Sequence, residues 1–129
     1  DDLVEQGQFE YESGYAGARN LLSSHRPPTA IFASNDAMAM GVLSAAHEMG
    51  FDVPRELSVA GYDDSPLARH SWPSLTTVRQ PVAEVARLAT IELVNRLQGR
   101  SDDSPHHCLR AELVPRASTA SPRSTTSTS

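Results

Sequence analysis

The amino-acid sequence predicts an α/β fold with a mainly parallel sheet flanked by helices. Segments with the periodicity of amphipathic helices alternate with short apolar segments, in the order helix, strand, helix, strand, strand, helix, strand. The short apolar segments are continuous rather than alternating, which is typical of strands that helices cover on both faces. Proline, glycine or short polar residues separate the segments. Because the chain has 129 residues, at most about one ordinary domain can form.

The first two predicted elements are a helix over residues 11–23 and a buried strand over residues 29–33. In the helix, apolar or small residues recur at spacings of three and four. Pro27 and Pro28 interrupt this pattern, so the helix ends before them. The strand lies between these prolines and a polar group that includes Asn35, which are the expected boundaries of a short buried strand.

The next two elements are a helix over residues 37–49 and a buried strand over residues 57–62. The helix carries one apolar stripe, and Asp36 is expected to cap its N-terminus. Gly50 stands where helices commonly end in a left-handed residue. The strand continues directly into an acidic and proline-containing loop that begins at Asp63.

The C-terminal part of the chain contains three further predicted elements. Residues 75–81 are β-rich and end in proline, and residues 82–97 form a long helix that ends near Gly99. A short final strand is expected within residues 107–113. Residues 118–129 are almost all Ser, Thr, Ala, Pro and Arg, so we expect a disordered tail.

Composition and charge exclude several classes of protein. The net charge is −5, and all eleven basic residues are arginines scattered along the chain, so this chain by itself is a poor ligand for nucleic acid. The absence of lysine excludes Schiff-base catalysis and a phosphate-loop lysine. No segment approaches the roughly 18 apolar residues of a membrane helix. Cys108 is the only cysteine, which agrees with a reducing compartment, and we expect a cytoplasmic protein.

Polar residues that follow two strands are the candidate binding residues. In open α/β sheets ligands bind beyond the carboxyl ends of the strands, where Asn35 and Asp63 are expected. Their amide and carboxylate suit a polyhydroxylated ligand, and Phe9 could provide an apolar face for a sugar ring. Two simpler interpretations stay open: Asn35 could only cap the following helix, and Asp63 and Asp64 could only form a turn.

An enzyme or a metal site is not expected. Asp63 and Asp64 are adjacent, and neighbouring side chains of an extended segment point in opposite directions, so they would not converge on one ion. His106, His107 and Cys108 are likewise consecutive, and no second cysteine exists. The sequence contains no nucleophile elbow, dinucleotide fingerprint or phosphate loop, so we predict no catalytic residue, no metal and no cofactor.

Several blocks of the sequence resemble the lactose-repressor (LacI/GalR) family of transcriptional regulators. The resemblance extends over about residues 7–119, with the blocks in the family's order and spacing. Characteristic strings include Ala-Ser-Asn-Asp-Ala-Met, Val-Ala-Gly-Tyr-Asp-Asp-Ser and Leu-Thr-Thr-Val-Arg-Gln-Pro. The matching blocks are residues 7–15, 29–39, 41–43, 53–65, 75–81 and 112–119.

The resemblance implies a periplasmic-binding-protein-like type I fold with an incomplete C-terminal lobe. Residues 1–117 would then be a partial effector-binding domain. Residues 9–80 would belong mostly to the C-terminal lobe, and residues 82–113 resemble a return into the N-terminal lobe. The family's helix-turn-helix, through which such a protein contacts DNA, would precede Asp1.

The resemblance also implies roles for individual residues. Asn35 and Asp63 match positions that usually hydrogen-bond the effector, Phe9 matches an aromatic wall of the site, and Gln80 lies where the chain crosses between lobes. A second set resembles the family's dimer surface, formed by the helix after Asp36 and the loop of residues 65–71. That surface contains Met38, Met40 and Leu67.

The predicted function is therefore the effector-sensing and dimerisation portion of a LacI-type repressor. Its expected partners are a sugar or nucleoside-like effector, a second copy of the chain, and DNA only through the separate N-terminal domain; no membrane partner is expected. The alternative is a periplasmic sugar-binding protein of a transport system, which has the same two-lobed architecture. The blocks at residues 75–81 and 116–119 favour the repressor.

Overall fold

The computed structural model describes residues 3–100 and 106–122 and contains alternating helices and strands. The predicted α/β class is confirmed, with one additional short helix between the second and third strands. In the described part of the chain, no helix is long and apolar enough to cross a lipid bilayer. The elements are α1 (Tyr11–Leu22), β1 (Ala30–Phe32), α2 (Asp36–Glu48), β2 (Ser58–Ala60), α3 (Pro66–His70), β3 (Thr77–Arg79), α4 (Val82–Leu97) and β4 (Glu112–Val114).

The strands are short, and the first three lie side by side. Strand β1 pairs with β2 in parallel, with Ile31 opposite Val59. Ala60 forms a parallel bridge to Thr76, immediately before β3. Strand β4 pairs with β3 in the antiparallel direction, with Val78 opposite Leu113. The sheet is therefore parallel where the first three strands meet, as the continuous apolar segments predict.

The core lies between α2 and the parallel strands. Most of the predicted apolar stripe of α2 is buried: Val42, Ala45 and Ala46 are buried, and Met38 and Met49 are half-buried. Leu57 and Val59 beside or within β2 are also fully buried, as is Leu75. This packing fixes the N-terminus of α2 against the sheet, so the ends of the strands and the start of the helix lie together.

Helices α1 and α2 pack at unusually short distance because glycines lie at their contact. A Cβ atom at Gly41 would lie 2.2 Å from the carbonyl oxygen of Tyr11 and 2.5 Å from the amide nitrogen of Tyr15. A Cβ atom at Gly14 would lie 2.2 Å from the carbonyl oxygen of Met38. Backbone atoms occupy this space, so no side chain larger than a hydrogen fits at either position.

The apolar face of α4 is only partly covered by the described residues, of which His107 and Leu109 lie against it. None of its residues is buried, and Leu97 is 78% exposed. Val82 and Leu93 are likewise more than half exposed. The sequence pattern correctly predicts a long helix here, and most of its apolar side chains stay exposed in the described part of the chain.

Three sequence predictions require correction. The N-cap of α2 is Asn35 and not Asp36, which is the first helical residue. The last strand, Glu112–Val114, ends one residue beyond the predicted range of 107–113, because pairing with β3 sets its register. The prediction that the chain is disordered from residue 118 onward is wrong for Ser118, which is 0% exposed.

Ser118 joins the C-terminal segment to two strands. Its hydroxyl donates to the carbonyl oxygen of Val59 at 2.6 Å and accepts from the amide of Thr76 at 2.8 Å. Its carbonyl oxygen accepts from the amide of Val59 at 2.8 Å. These bonds satisfy backbone groups between β2 and β3 that would otherwise be buried without partners, which composition alone cannot show. Residues 123–129 of the predicted tail lie outside the described residues.

Candidate functional site

The carboxyl ends of the first three strands meet and form the candidate site. Asn35 follows β1, Asp63 follows β2 and Gln80 follows β3. Two backbone hydrogen bonds of 2.9 Å connect these ends: the amide of Asp36 donates to the carbonyl of Tyr62, and the amide of Asp63 donates to the carbonyl of Val78. The rule that parallel strands gather polar residues at their carboxyl edge therefore holds here.

Asn35 has two structural partners. Its Oδ1 accepts from the amide of Met38 at 2.8 Å, which caps α2, and its Nδ2 donates to the carbonyl oxygen of Phe9 at 3.0 Å. Asn35 therefore caps α2, while its role towards an effector stays a prediction. The same side chain also holds the segment that carries Phe9 at the edge of the site.

Phe9 presents its ring to solvent from a constrained backbone. It has a φ of 60° and is 67% exposed. A left-handed conformation is uncommon for an aromatic residue, and such residues concentrate at functional sites. The bond from Asn35 to its carbonyl explains how this conformation is held.

Asp63 and Gln80 are in direct contact. Gln80 Nε2 donates to Asp63 Oδ1 at 2.9 Å, and Asp63 is exposed. The φ of Asp63 is 117°, outside the left-handed region that aspartate tolerates, so the surrounding structure must hold this residue in place. An exposed carboxylate with one oxygen held by an amide has further acceptor positions for a ligand hydroxyl.

The Asp64 carboxylate is held by arginines and is structural. Its side chain is 2% exposed and is hydrogen-bonded to the Arg116 guanidinium and, at 2.7 Å, to Arg79 Nε. Arg69 lies 3.7 Å from the same carboxylate, and Glu112 accepts from Arg79 at 3.3 Å. The hydrogen bond from Arg116 is the main reason that the pKa of Asp64 lies below its ordinary value; burial opposes this, and Arg79 adds to it.

A second buried carboxylate, which sequence reasoning assigned to a helix cap, lies beneath the site. Asp36 is 1% exposed, and its carboxylate accepts from the hydroxyl of Thr77 at 2.6 Å and from the amide of Ser65 at 2.7 Å. Thr77, Arg79 and Arg116 lie in blocks that the sequence analysis singled out. Their partners lie 15 to 52 positions away, so no local pattern signals the pairing.

The residues predicted at a dimer surface do not share one face: Met38 and Met40 lie on different sides of α2, and Leu67 lies on α3. Met38 packs towards Gly7 and lines a groove beside β1, where a Cβ atom at Gly7 would lie 2.1 Å from the Met38 methyl carbon. Met40 instead lines a surface hollow with Tyr11 and Trp72. Leu67 lies on α3 and is 58% exposed. The structure thus separates Met38 from Met40.

Comparison with known proteins agrees with this architecture. The family model of the periplasmic binding protein-like domain matches residues 3–119. The chain belongs to this family, as an effector-binding domain of the LacI/GalR type. It is 43% identical over 118 residues to the HTH-type transcriptional repressor PurR of Edwardsiella ictaluri, a match that covers 92% of this chain and 34% of the relative. The chain therefore spans about a third of the length of the curated relatives that it matches.

Solved structures of this LacI/GalR-type domain share the fold closely. The complex of the transcriptional regulator CelR with cellobiose is 34% identical with a TM-score of 0.85, covering 92% of this chain and 36% of that chain. A LacI family transcriptional regulator from Enterococcus faecium with bound ribose is 32% identical with a TM-score of 0.76, covering 88% of this chain and 42% of that chain.

Proposed function

We propose that this chain is the effector-sensing and dimerisation portion of a LacI-type transcriptional repressor. The proposed effector is a sugar or a nucleoside-like molecule, and contact with DNA belongs to another domain of the gene product. The observation that carries the proposal is the meeting of Asn35, Asp63, Gln80 and the Phe9 segment at one edge of the sheet. The relatives are named as repressors and transcriptional regulators, which favours this function over a transport protein.

The chemistry of the site suits neighbouring hydroxyl groups. The exposed Asp63 carboxylate accepts hydrogen bonds, and the amides of Asn35 and Gln80 both donate and accept. The exposed ring of Phe9 offers an apolar surface for one face of a sugar or base. Cellobiose and ribose, bound by the two structural relatives, are ligands of this chemical class.

The connection of Gln80 to Asp63 supports an allosteric role. Gln80 lies between β3 and α4, and its amide is bonded to the carboxylate that would contact the effector. An effector hydroxyl on Asp63 changes the partners of Gln80 and so biases the path of the chain into α4. A ligand that binds two arrangements with different affinity shifts their populations, and this shift would alter DNA affinity.

Isothermal titration calorimetry of the gene product that carries this chain tests the proposal. The panel comprises cellobiose, ribose and several nucleosides. We expect binding of one class, and a loss of roughly ten- to a hundredfold in affinity for Asp63→Asn because a charge-assisted hydrogen bond disappears. Asparagine preserves the size of the side chain, so the variant tests the charge. Asn35→Asp retains the capping oxygen but replaces the amide donor with a charged carboxylate oxygen, so it should also weaken binding.

The matched control for this titration is Asp52→Asn. Asp52 is an exposed carboxylate before β2, at the opposite end of that strand from Asp63. Its substitution should leave effector affinity unchanged. Full affinity in Asp63→Asn would contradict the site, and absence of binding across the panel would contradict the proposed effector class.

We further propose that the chain forms a homodimer through the α2/α3 surface, defined as Tyr11, Met40, Leu67 and Trp72. Trp72 is 96% exposed, and it lines one hollow with Tyr11 and Met40. Leu67, on α3 five residues before Trp72, lies outside that hollow and is 58% exposed. Exposed apolar residues such as Trp72 and Leu67 are typical of association sites. This surface retains Met40 and Leu67 from the predicted dimer residues, whereas Met38 lies elsewhere.

Leu67→Glu should dissociate the dimer, because it places a charge within an apolar interface. Light scattering after size-exclusion chromatography measures the mass. Leu93→Glu on α4 is the matched control, since Leu93 is 59% exposed and Leu67 is 58% exposed. Dissociation by Leu93→Glu and not by Leu67→Glu would move the interface to α4 and contradict the α2/α3 surface.

A further inference from the structure

The loop that carries Asp63 has a backbone that must be held in place. Asp63 and Asp64 are consecutive non-glycine residues with positive φ, at 117° and 55°. Each such residue costs free energy, and the conformation persists only where the surroundings fix it. The groups that fix this loop therefore determine where the Asp63 carboxylate lies.

Three consecutive amides of this loop have partners on two other elements. The Asp63 amide donates to the carbonyl of Val78 at 2.9 Å, and the Asp64 amide donates to the hydroxyl of Thr77 at 3.3 Å. The Ser65 amide donates to Asp36 Oδ2 at 2.7 Å. The loop is thus bonded to β3 on one side and to the first residue of α2 on the other.

Asp36 and Thr77 complete this arrangement by bonding to each other. The Thr77 hydroxyl donates to Asp36 Oδ1 at 2.6 Å, and the two residues are 0% and 1% exposed. Both carboxylate oxygens of Asp36 are therefore engaged. A carboxylate at a helix N-terminus is favourable because of the helix dipole. That interaction alone requires neither the Ser65 amide nor the Thr77 hydroxyl as a partner. Burial of a carboxylate is costly unless its hydrogen bonds are made. One bond to Asp36 comes from the loop that carries Asp63, and the other comes from Thr77, which itself accepts a bond from that loop.

We propose that Asp36 and Thr77 are positioning residues for the effector, which they do not contact. Asp36 is adjacent to Asn35, and its amide also donates to the carbonyl of Tyr62, beside Asp63. The hydrogen bonds of Asp36 and Thr77 therefore fix the separation between the two residues proposed to bind the effector. This inference rests on the proposed function, because it concerns the same site.

Thr77→Val tests the inference because valine has nearly the same shape and lacks the hydroxyl. We expect effector affinity to fall roughly ten- to a hundredfold, as is typical when a group that orients binding residues is removed. Thr77→Ser keeps the hydroxyl and should retain affinity. The matched control is Thr76→Val: Thr76 is 5% exposed, and its hydroxyl bonds to Thr119 and to the Arg116 amide, outside the loop.

Amide hydrogen exchange supplies a measurement that needs no effector. In Thr77→Val, exchange at Asp64 and Ser65 should become faster, whereas Thr76→Val should leave these two amides protected. Unchanged exchange in Thr77→Val would overturn the inference, as would equal losses of effector affinity in the Thr76 and Thr77 variants. A different result would be an unmodified protein that protects the Asp64 and Ser65 amides from exchange and yet binds no compound of the effector panel. That result would overturn the proposed function, and with it the effector role of Asp36 and Thr77.

Discussion

Gly41→Ala should lower the free energy of unfolding by about 2 kcal/mol, since overpacking against backbone costs about 3 kcal/mol and the gain in helix propensity returns about 1 kcal/mol. The added methyl group would lie 2.2 Å from the Tyr11 carbonyl oxygen and 2.5 Å from the Tyr15 amide nitrogen. Neither atom belongs to a flexible side chain, so α1 must move away from α2. Urea denaturation followed by circular dichroism measures the change.

Ser44→Ala provides the control for this substitution. Ser44 lies on the same helix, one turn after Gly41, and is half-buried. Alanine there gains helix propensity without meeting α1, so stability should stay the same or rise slightly. A Gly41→Ala variant as stable as the unmodified protein would show that the two helices do not pack at the distance described.

Asp64→Asn should lower stability at neutral pH by about 3 kcal/mol, because removal of one charge from a buried ion pair leaves the other uncompensated. The side chain is 2% exposed, and Arg116, its main partner, is 14% exposed. Asparagine keeps the size of aspartate, so the loss reports on charge and hydrogen bonding and not on packing. Thermal and urea unfolding at pH 7 measure this loss.

The same substitution should flatten the acid limb of the stability curve. The pKa of Asp64 in the folded chain lies below its ordinary value of 3.8, chiefly because Arg116 donates to it. The unfolded chain therefore binds the proton more readily, and the stabilisation is present above about pH 4. It is lost as pH falls through the lower, folded pKa.

Glu84→Gln is the control for the acid measurement. Glu84 also pairs with an arginine, Arg87, at 2.5 Å, but both side chains are largely exposed, so the pair contributes little. Its substitution should leave the acid limb almost unchanged. An Asp64→Asn variant that loses stability with falling pH as steeply as the unmodified chain would contradict the assignment.

Much of the architecture could be predicted because it depends on local patterns. The apolar stripe of α2 and the continuous strand at Val59 are properties of short segments, and each was found where the spacing predicts it. The rule for carboxyl ends of strands correctly brought Asn35 and Asp63 to one edge. The fold permits these residues to bind an effector, and the titration tests whether they do.

The sequence by itself determined the class of fold, the order of its elements and the polar residues at the strand ends, because periodicity and chain order are local. Tertiary structure alone decided that Asp63 is exposed while the Asp64 side chain is only 2% exposed, that Ser118 joins β2 to β3, and that Met38 and Met40 lie on different sides. The bonds responsible join residues such as Asp64 and Arg116, 52 positions apart, and Ser118 and Val59, 59 positions apart. Such pairs form only when separate elements pack together, so no short segment carries their signal.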